Sequence, residues 1–116
     1  MDTAAENELL CARLLEWSPL PLLHDRAQQQ WYTRTSATPA FTPTFDCWNG
    51  TGLLLDALVR HGQNPDVCHW DGKWHALIDC KCCDDDWPEA FDSPHVAVRA
   101  AALHFLRTRT YGMTAQ

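Results

Sequence analysis

A cluster of cysteine and histidine residues lies in the stretch CHWDGKWHALIDCKCCDDDW. These side chains fall within sixteen positions, and they are Cys68, His69, His75, Cys80, Cys82 and Cys83. A structural zinc site uses four such ligands, usually as two pairs with two to four residues between the members of each pair. The cysteines of the CKCC run are closer together than that. The cluster therefore has three interpretations: a zinc site, a reactive thiol, or cysteines that fill an apolar interior.

A zinc site in this stretch depends on the turn between its two halves. Its ligands would come from Cys68, His75, Cys80, Cys82 and Cys83. A two-residue turn at Asp71-Gly72 places Cys68 opposite His75, whereas a three-residue loop places His69 opposite His75. Cysteine is also among the most buried residue types and often serves as a small apolar filler. We expect filler and no bound cofactor, and we keep zinc as the alternative.

A reactive thiol in this stretch is disfavoured by its neighbours. A nucleophilic cysteine needs a lowered pKa, and negative charge such as that of Asp84–Asp86 raises the pKa of a nearby thiol. The remaining carboxylates and histidines do not pair at spacings that require general acid-base chemistry. We therefore expect no enzymatic activity and no small-molecule substrate.

An acidic run with a tryptophan follows the cysteines. It consists of Asp84, Asp85, Asp86, Trp87 and Glu89. The run lacks the alternating carboxylates of a calcium loop, and such blocks of like charge are usually solvated. Tryptophan is a frequent anchor of protein interfaces, and charge steers a partner of opposite sign. We predict that these five residues form a protein-binding site.

The charge balance limits the classes of partner. The chain has 116 residues, nine Lys and Arg, and a net charge of −6. Binding that neutralises phosphates needs clustered basic residues, so we expect no direct contact with nucleic acid. No apolar run is long enough for a membrane span, and the N-terminal MDTAAENELLCARLLEW lacks the basic region of a secretory signal. We expect a cytoplasmic protein with reduced cysteines.

Three helices are predicted from capping residues and apolar spacing, at 4–17, 47–61 and 94–108. The second helix has glycines at Gly50 and Gly52, each of which weakens it by roughly 1 kcal/mol relative to alanine. Their presence suggests close packing at that turn.

The strands are predicted from turn signals. Asp71-Gly72 lies between two β-prone runs and predicts a hairpin over 67–80. A short strand is expected near 30–34, within an arm at 22–45 that contains several prolines. Both faces of the hairpin carry apolar groups. The pattern predicts one α+β domain at 1–116, in which a small antiparallel sheet is sandwiched between about three helices.

The order of these segments resembles the phage ABA sandwich domain. The resemblance covers residues 6–107 and rests on ENELLCARLLEW, AFTPTFDCWNGTGLLLDALVRHG, CHWDGKWHALIDC and SPHVAVRAAALHFL. That family consists of small phage and prophage proteins with helices around a sheet. It has no established catalytic residues, so the resemblance implies no active site. The CKCC-DDD stretch departs from the family pattern.

The resemblance implies a phage-encoded accessory protein in the cytoplasm of a bacterial host. We expect it to bind a host protein, as an inhibitor of a defence system such as CRISPR-Cas would. The alternative is a zinc-binding domain with a structural or nucleic-acid-contacting role. The sequence leaves the identity of the partner and the oligomeric state open.

Overall fold

The computed structural model of the protein describes residues 3–21, 29–33, 39–78 and 90–114. The chain forms two compact units, Met1–Thr44 and Phe45–Gln116. Helices and antiparallel strands occur together, and this confirms the predicted α+β class.

The first unit begins with a helix that changes its winding. Helix α1 spans Thr3–Leu9 and continues as a π-helical segment at Leu10–Leu14. The predicted helix at 4–17 is therefore confirmed in position, but it ends earlier. The reason lies at Glu16, whose φ of 60° is in the left-handed region that terminates a right-handed helix.

A small three-stranded sheet completes the first unit. Strands β1 (Ser18–Pro19), β2 (Gln30–Tyr32) and β3 (Ala40–Phe41) pair antiparallel in the order β1-β2-β3. The Trp31 side chain is buried, and its Nε1 donates a hydrogen bond to Thr42 Oγ1 at 2.9 Å. This sheet is separate from the hairpin, so the predicted single sheet is wrong. Strands β1 and β3 are short, and each adjoins or contains a proline. A proline weakens the sequence pattern from which a strand is predicted.

The second unit begins with helix α2 at Trp48–Arg60, which confirms the predicted helix at 47–61 to within one residue at each end. Leu54, Ala57 and Leu58 form its buried stripe. The helix ends at Arg60, and Gly62 follows its C-cap residue with a φ of 82° and donates its N–H to the Val59 carbonyl at 3.0 Å.

The hairpin has the two-residue turn. Strands β4 (Asp66–Trp70) and β5 (Lys73–Leu77) pair antiparallel, and Asp71 and Gly72 both have positive φ, at 55° and 73°. Such values are typical of a type I′ turn. Of the predicted range 67–80, residues 79–80 lie outside the described chain. At its other edge β5 exchanges two backbone hydrogen bonds with Phe91, through Trp74.

The last helix, α3, spans Pro94–Thr114. It is longer than the predicted 94–108, because Gly112 alone lowers helix propensity without blocking the backbone hydrogen bonds, as proline would. Helix α3 contacts both the hairpin and α2. Its buried side chains include Val98, Ala102 and Leu106. Within this unit the hairpin therefore packs mainly on α3, which in turn packs on α2.

Candidate functional site

The residues predicted to bind a partner lie outside the described part of the chain. They are Asp84, Asp85, Asp86, Trp87 and Glu89, and the same holds for Cys80, Cys82 and Cys83 of the alternative zinc site. The described residues on either side show where that segment is attached. It follows Ile78, the residue after β5, and precedes Ala90 and Phe91. Phe91 pairs with Trp74, the second residue of β5.

The hairpin register brings the two described zinc candidates together. Cys68 lies opposite His75 in the β4–β5 ladder, as a two-residue turn requires. Residues paired across a ladder point to the same face of a sheet. The Cys68 thiol donates a hydrogen bond to Asp66 Oδ2 at 3.2 Å. Cys68 is half-buried. Because its thiol also contacts a carboxylate, it does not act purely as an apolar filler.

His75 is the least satisfied polar side chain on this face. It is only 6% exposed, and neither ring nitrogen has a hydrogen-bond partner among the described residues. Buried polar groups in native proteins usually have a partner, which is often a water or an ion. Within the described ranges, no group of three His, Cys, Asp or Glu residues could hold a metal ion. Cys68 and His75 therefore offer two ligands, and the described chain does not supply a third.

Trp70 covers His75. The two rings are stacked, with centroids 3.6 Å apart and planes 2° from parallel. Trp70 nevertheless remains 45% exposed, and the exposed Asp71 follows it in the turn. The stacking holds the indole in place while leaving part of it in solvent. This is the arrangement of a rigid aromatic contact residue.

A second polar contact joins the starts of α2 and α3. Thr51 Oγ1 lies 2.8 Å from His95 Nδ1, and the backbone N–H of His95 donates to Ser93 Oγ at 3.1 Å. A hydroxyl beside an imidazole is the geometry of an activated nucleophile. Thr51 is completely buried, however, so a substrate has no access to its hydroxyl. The contact therefore ties α2 to α3.

The described thiols differ in their surroundings. Burial, with a smaller contribution from the negative charge of Glu8, raises the pKa of Cys11 from an ordinary value of 9.0 to about 12. Cys11 therefore stays protonated at neutral pH and is a poor nucleophile. Cys47 is exposed at the start of α2.

The structure assigns three of the six tryptophans to the core or the surface, which their spacing alone does not do. Trp31 is buried, whereas Trp48 and Trp70 are exposed. The exposure of Trp48 and Trp70 was not predicted from the sequence. A signal for Trp48 was present, because it lies off the apolar stripe of Leu54 and Leu58 at helical spacing.

An open cavity of about 370 Å³ lies in the first unit. Its lining consists of Thr3, Ala4, Asn7, Glu8, Thr42, Pro43 and Thr44. The volume is at the lower end of the range for small-molecule sites. Its single ionisable side chain is Glu8, and one carboxylate does not make an acid-base pair. The residues that line the cavity therefore supply no acid-base pair.

No protein family, curated protein or solved structure matches the chain. The resemblance to the phage ABA sandwich domain thus stays a prediction. In the part of the chain that the structure describes, no helix is long and apolar enough to cross a membrane.

Proposed function

We propose that the protein is a binding protein without enzymatic activity, which recognises a basic surface on a bacterial host protein. The observation that carries this proposal is the exposed Trp70, held in place by its stack on the buried His75. A tryptophan that is ordered before binding loses little conformational entropy when it contacts a partner.

The chemistry around Trp70 favours a cationic partner. One face of the indole covers His75, and an Arg or Lys of a partner can stack on its exposed part. Asp71 is exposed beside it, and the whole chain carries a net charge of −6. This charge attracts a basic surface and accelerates encounter. The predicted site at Asp84–Asp86, Trp87 and Glu89 would add to the same preference.

The resemblance to phage proteins selects the first partners to test. It supports a phage or prophage accessory protein that works in the host cytoplasm and inhibits a host defence system such as CRISPR-Cas. That role is tested by expressing the protein in a bacterium with active CRISPR-Cas immunity and measuring the plaquing efficiency of a targeted phage. Unchanged plaquing would reject this role and leave the binding proposal to its own experiment.

The binding proposal is tested by affinity capture from bacterial lysate with quantitative mass spectrometry. We expect the wild-type protein to enrich a partner that elutes at raised salt, because the contact is between opposite charges. Trp70→Ala should reduce its recovery at least tenfold, as for an interface anchor. Tyr32→Ala is the matched control, since Tyr32 is a similarly exposed aromatic residue in the other unit. Equal recovery by Trp70→Ala and wild type would contradict the proposal.

A second candidate function is a zinc-binding domain with a structural or nucleic-acid-contacting role. The observation in its favour is that Cys68 faces His75, whose ring nitrogens lack partners among the described residues. Cys80, Cys82 and Cys83 would have to complete the site. If zinc is bound, freshly purified protein contains close to one equivalent, and a chelator lowers its melting temperature. Cys68→Ser should then lose the metal, whereas Cys47→Ser should keep it.

A further inference from the structure

Gly52 has no structural reason to be glycine within the described chain. A Cβ built at this position meets no atom within 4 Å, and its φ is not positive. Glycine in a helix is less stable than alanine, so neither packing nor backbone conformation explains it. Gly50, two residues earlier, is explained, because a Cβ there would lie 2.7 Å from Phe45 Cα.

Gly52 lies on a helix face that remains open to solvent. The exposed residues of α2 are Trp48, Asn49, Gly52, Asp56, Val59 and Arg60, and we call them the outer face of α2. Trp48 is 62% exposed and Val59 58%. Large apolar side chains around a bare backbone position form a surface on which another helix can approach closely.

The chemistry of the outer face is complementary to itself. When two copies of a helix pack antiparallel, residues at equal distances from the centre lie opposite each other. With the centre at Leu54, Trp48 lies opposite Arg60 of the other copy. The Arg60 guanidinium is planar and stacks well on an indole ring. Its ion pair with Asp56, one turn earlier, keeps it on this face.

The centre of the same arrangement needs the glycine. Gly52 lies opposite Asp56 of the other copy, so the space above Gly52 can receive the carboxylate-bearing side chain. Any large side chain at Gly52 would hold the helices apart and separate both Trp48–Arg60 contacts. We infer that the outer face of α2 binds the same face of a second copy of this chain, antiparallel, with Gly52 as the point of close approach.

The size of the face sets the expected affinity. A helix of 13 residues is about 20 Å long, so the buried area falls well below the roughly 800 Å² per partner of a standard stable interface. The dimer should therefore be weak and form only at high micromolar concentration. This inference uses Trp48 and is independent of the host-protein proposal, which uses Trp70.

Sedimentation equilibrium of the full chain, from about 10 µM to 1 mM, tests this inference in the affinity range expected for a small interface. We expect a monomer–dimer equilibrium, with Kd raised at least tenfold in Trp48→Ala and dimerisation lost in Gly52→Leu. Both positions are exposed, so both variants should fold, and circular dichroism checks that they do. Tyr32→Ala, at an exposed aromatic residue of the other unit, is the control and should leave Kd unchanged. A wild-type protein that stays monomeric at 1 mM, or a Kd unaffected by both α2 variants, would overturn the inference.

The antiparallel orientation is tested separately by cross-linking. Asn49 and Val59 are exposed at opposite ends of the face. An equimolar mixture of Asn49→Cys and Val59→Cys proteins, treated with a short bismaleimide, should give mainly links between positions 49 and 59. Predominant links between identical positions would indicate parallel packing and refute the arrangement. Wild-type protein under the same treatment identifies links from the native cysteines.

Discussion

Replacing each of the two α2 glycines by alanine should have opposite effects on stability. Both substitutions gain helix propensity, by up to about 1 kcal/mol. At Gly52 the new methyl group meets open space, so Gly52→Ala should stabilise the protein by about 0.5–1 kcal/mol. At Gly50 the new methyl would lie 2.7 Å from Phe45 Cα and 2.9 Å from Phe45 N.

The clash at Gly50 is with backbone and is difficult to relieve. Phe45 is buried and already has a φ of 23°, so its main chain has little freedom to move. Overpacking of this kind costs about 1–3 kcal/mol, and more when no flexible side chain can yield. Subtracting the propensity gain, Gly50→Ala should lose about 1–2 kcal/mol.

Urea denaturation at low protein concentration, followed by circular dichroism, measures both variants against wild type. The two free energies of unfolding should differ by roughly 2–3 kcal/mol, with Gly52→Ala the more stable. Equal stability of the two variants would refute the reasoning from the Phe45 contact. A stabilised Gly52→Ala that also dimerises less would show that the glycine is kept for association at the expense of stability.

Three further predictions concern residues of both units. The pKa of the Cys11 thiol is higher in the folded chain than its ordinary value, so the stabilisation from the protonated thiol is complete below pH 9 and is lost as pH rises towards 12. Over this range the free energy of unfolding of the wild type should fall by up to about 4 kcal/mol more than that of Cys11→Ala. Urea titrations at each pH measure this difference. Thr51→Val should cost about 1–2 kcal/mol because it leaves His95 Nδ1 unpaired. In a double-mutant cycle, the same Thr51→Val substitution should cost much less when it is made in the His95→Gln protein. Gly72→Ala should cost about 1–2 kcal/mol, since a φ of 73° is unfavourable for alanine even with open space around it. Asp71→Asn should be nearly neutral, and urea denaturation measures both variants.

The parts of the fold that local chemistry determines were predictable. Helix α2 follows from its leucine stripe and from Gly62, and the hairpin follows from Asp71-Gly72. Its register was left open between a two-residue and a three-residue loop, and the structure has the two-residue turn. Strands β1 and β3 have two residues each, which is too short for an alternating pattern. Their pairing with β2 depends on contacts between residues distant in sequence, so the sequence did not reveal a second sheet.

The candidate site was only partly predictable for the same reason. The pairing of Cys68 with His75 follows from the turn, and was expected for a two-residue loop. The burial of His75 and the exposure of Trp70 depend on how the hairpin packs on the rest of its unit. Trp48 differs, because its place off the apolar stripe already pointed to the surface. Gly52 became informative only beside Gly50, once the space around each was known.

The pairing of Phe91 with Trp74 has a consequence for how this protein can change. Two backbone hydrogen bonds close the chain between these residues, and main-chain groups are independent of side-chain identity. The pairing of Trp74 with Phe91 therefore does not depend on the side chains of the residues between them. Doubling the length of such a closed segment costs only about 0.6 kcal/mol of closure entropy. A peptide grafted between Ile78 and Ala90 should therefore leave the Trp74–Phe91 pairing intact.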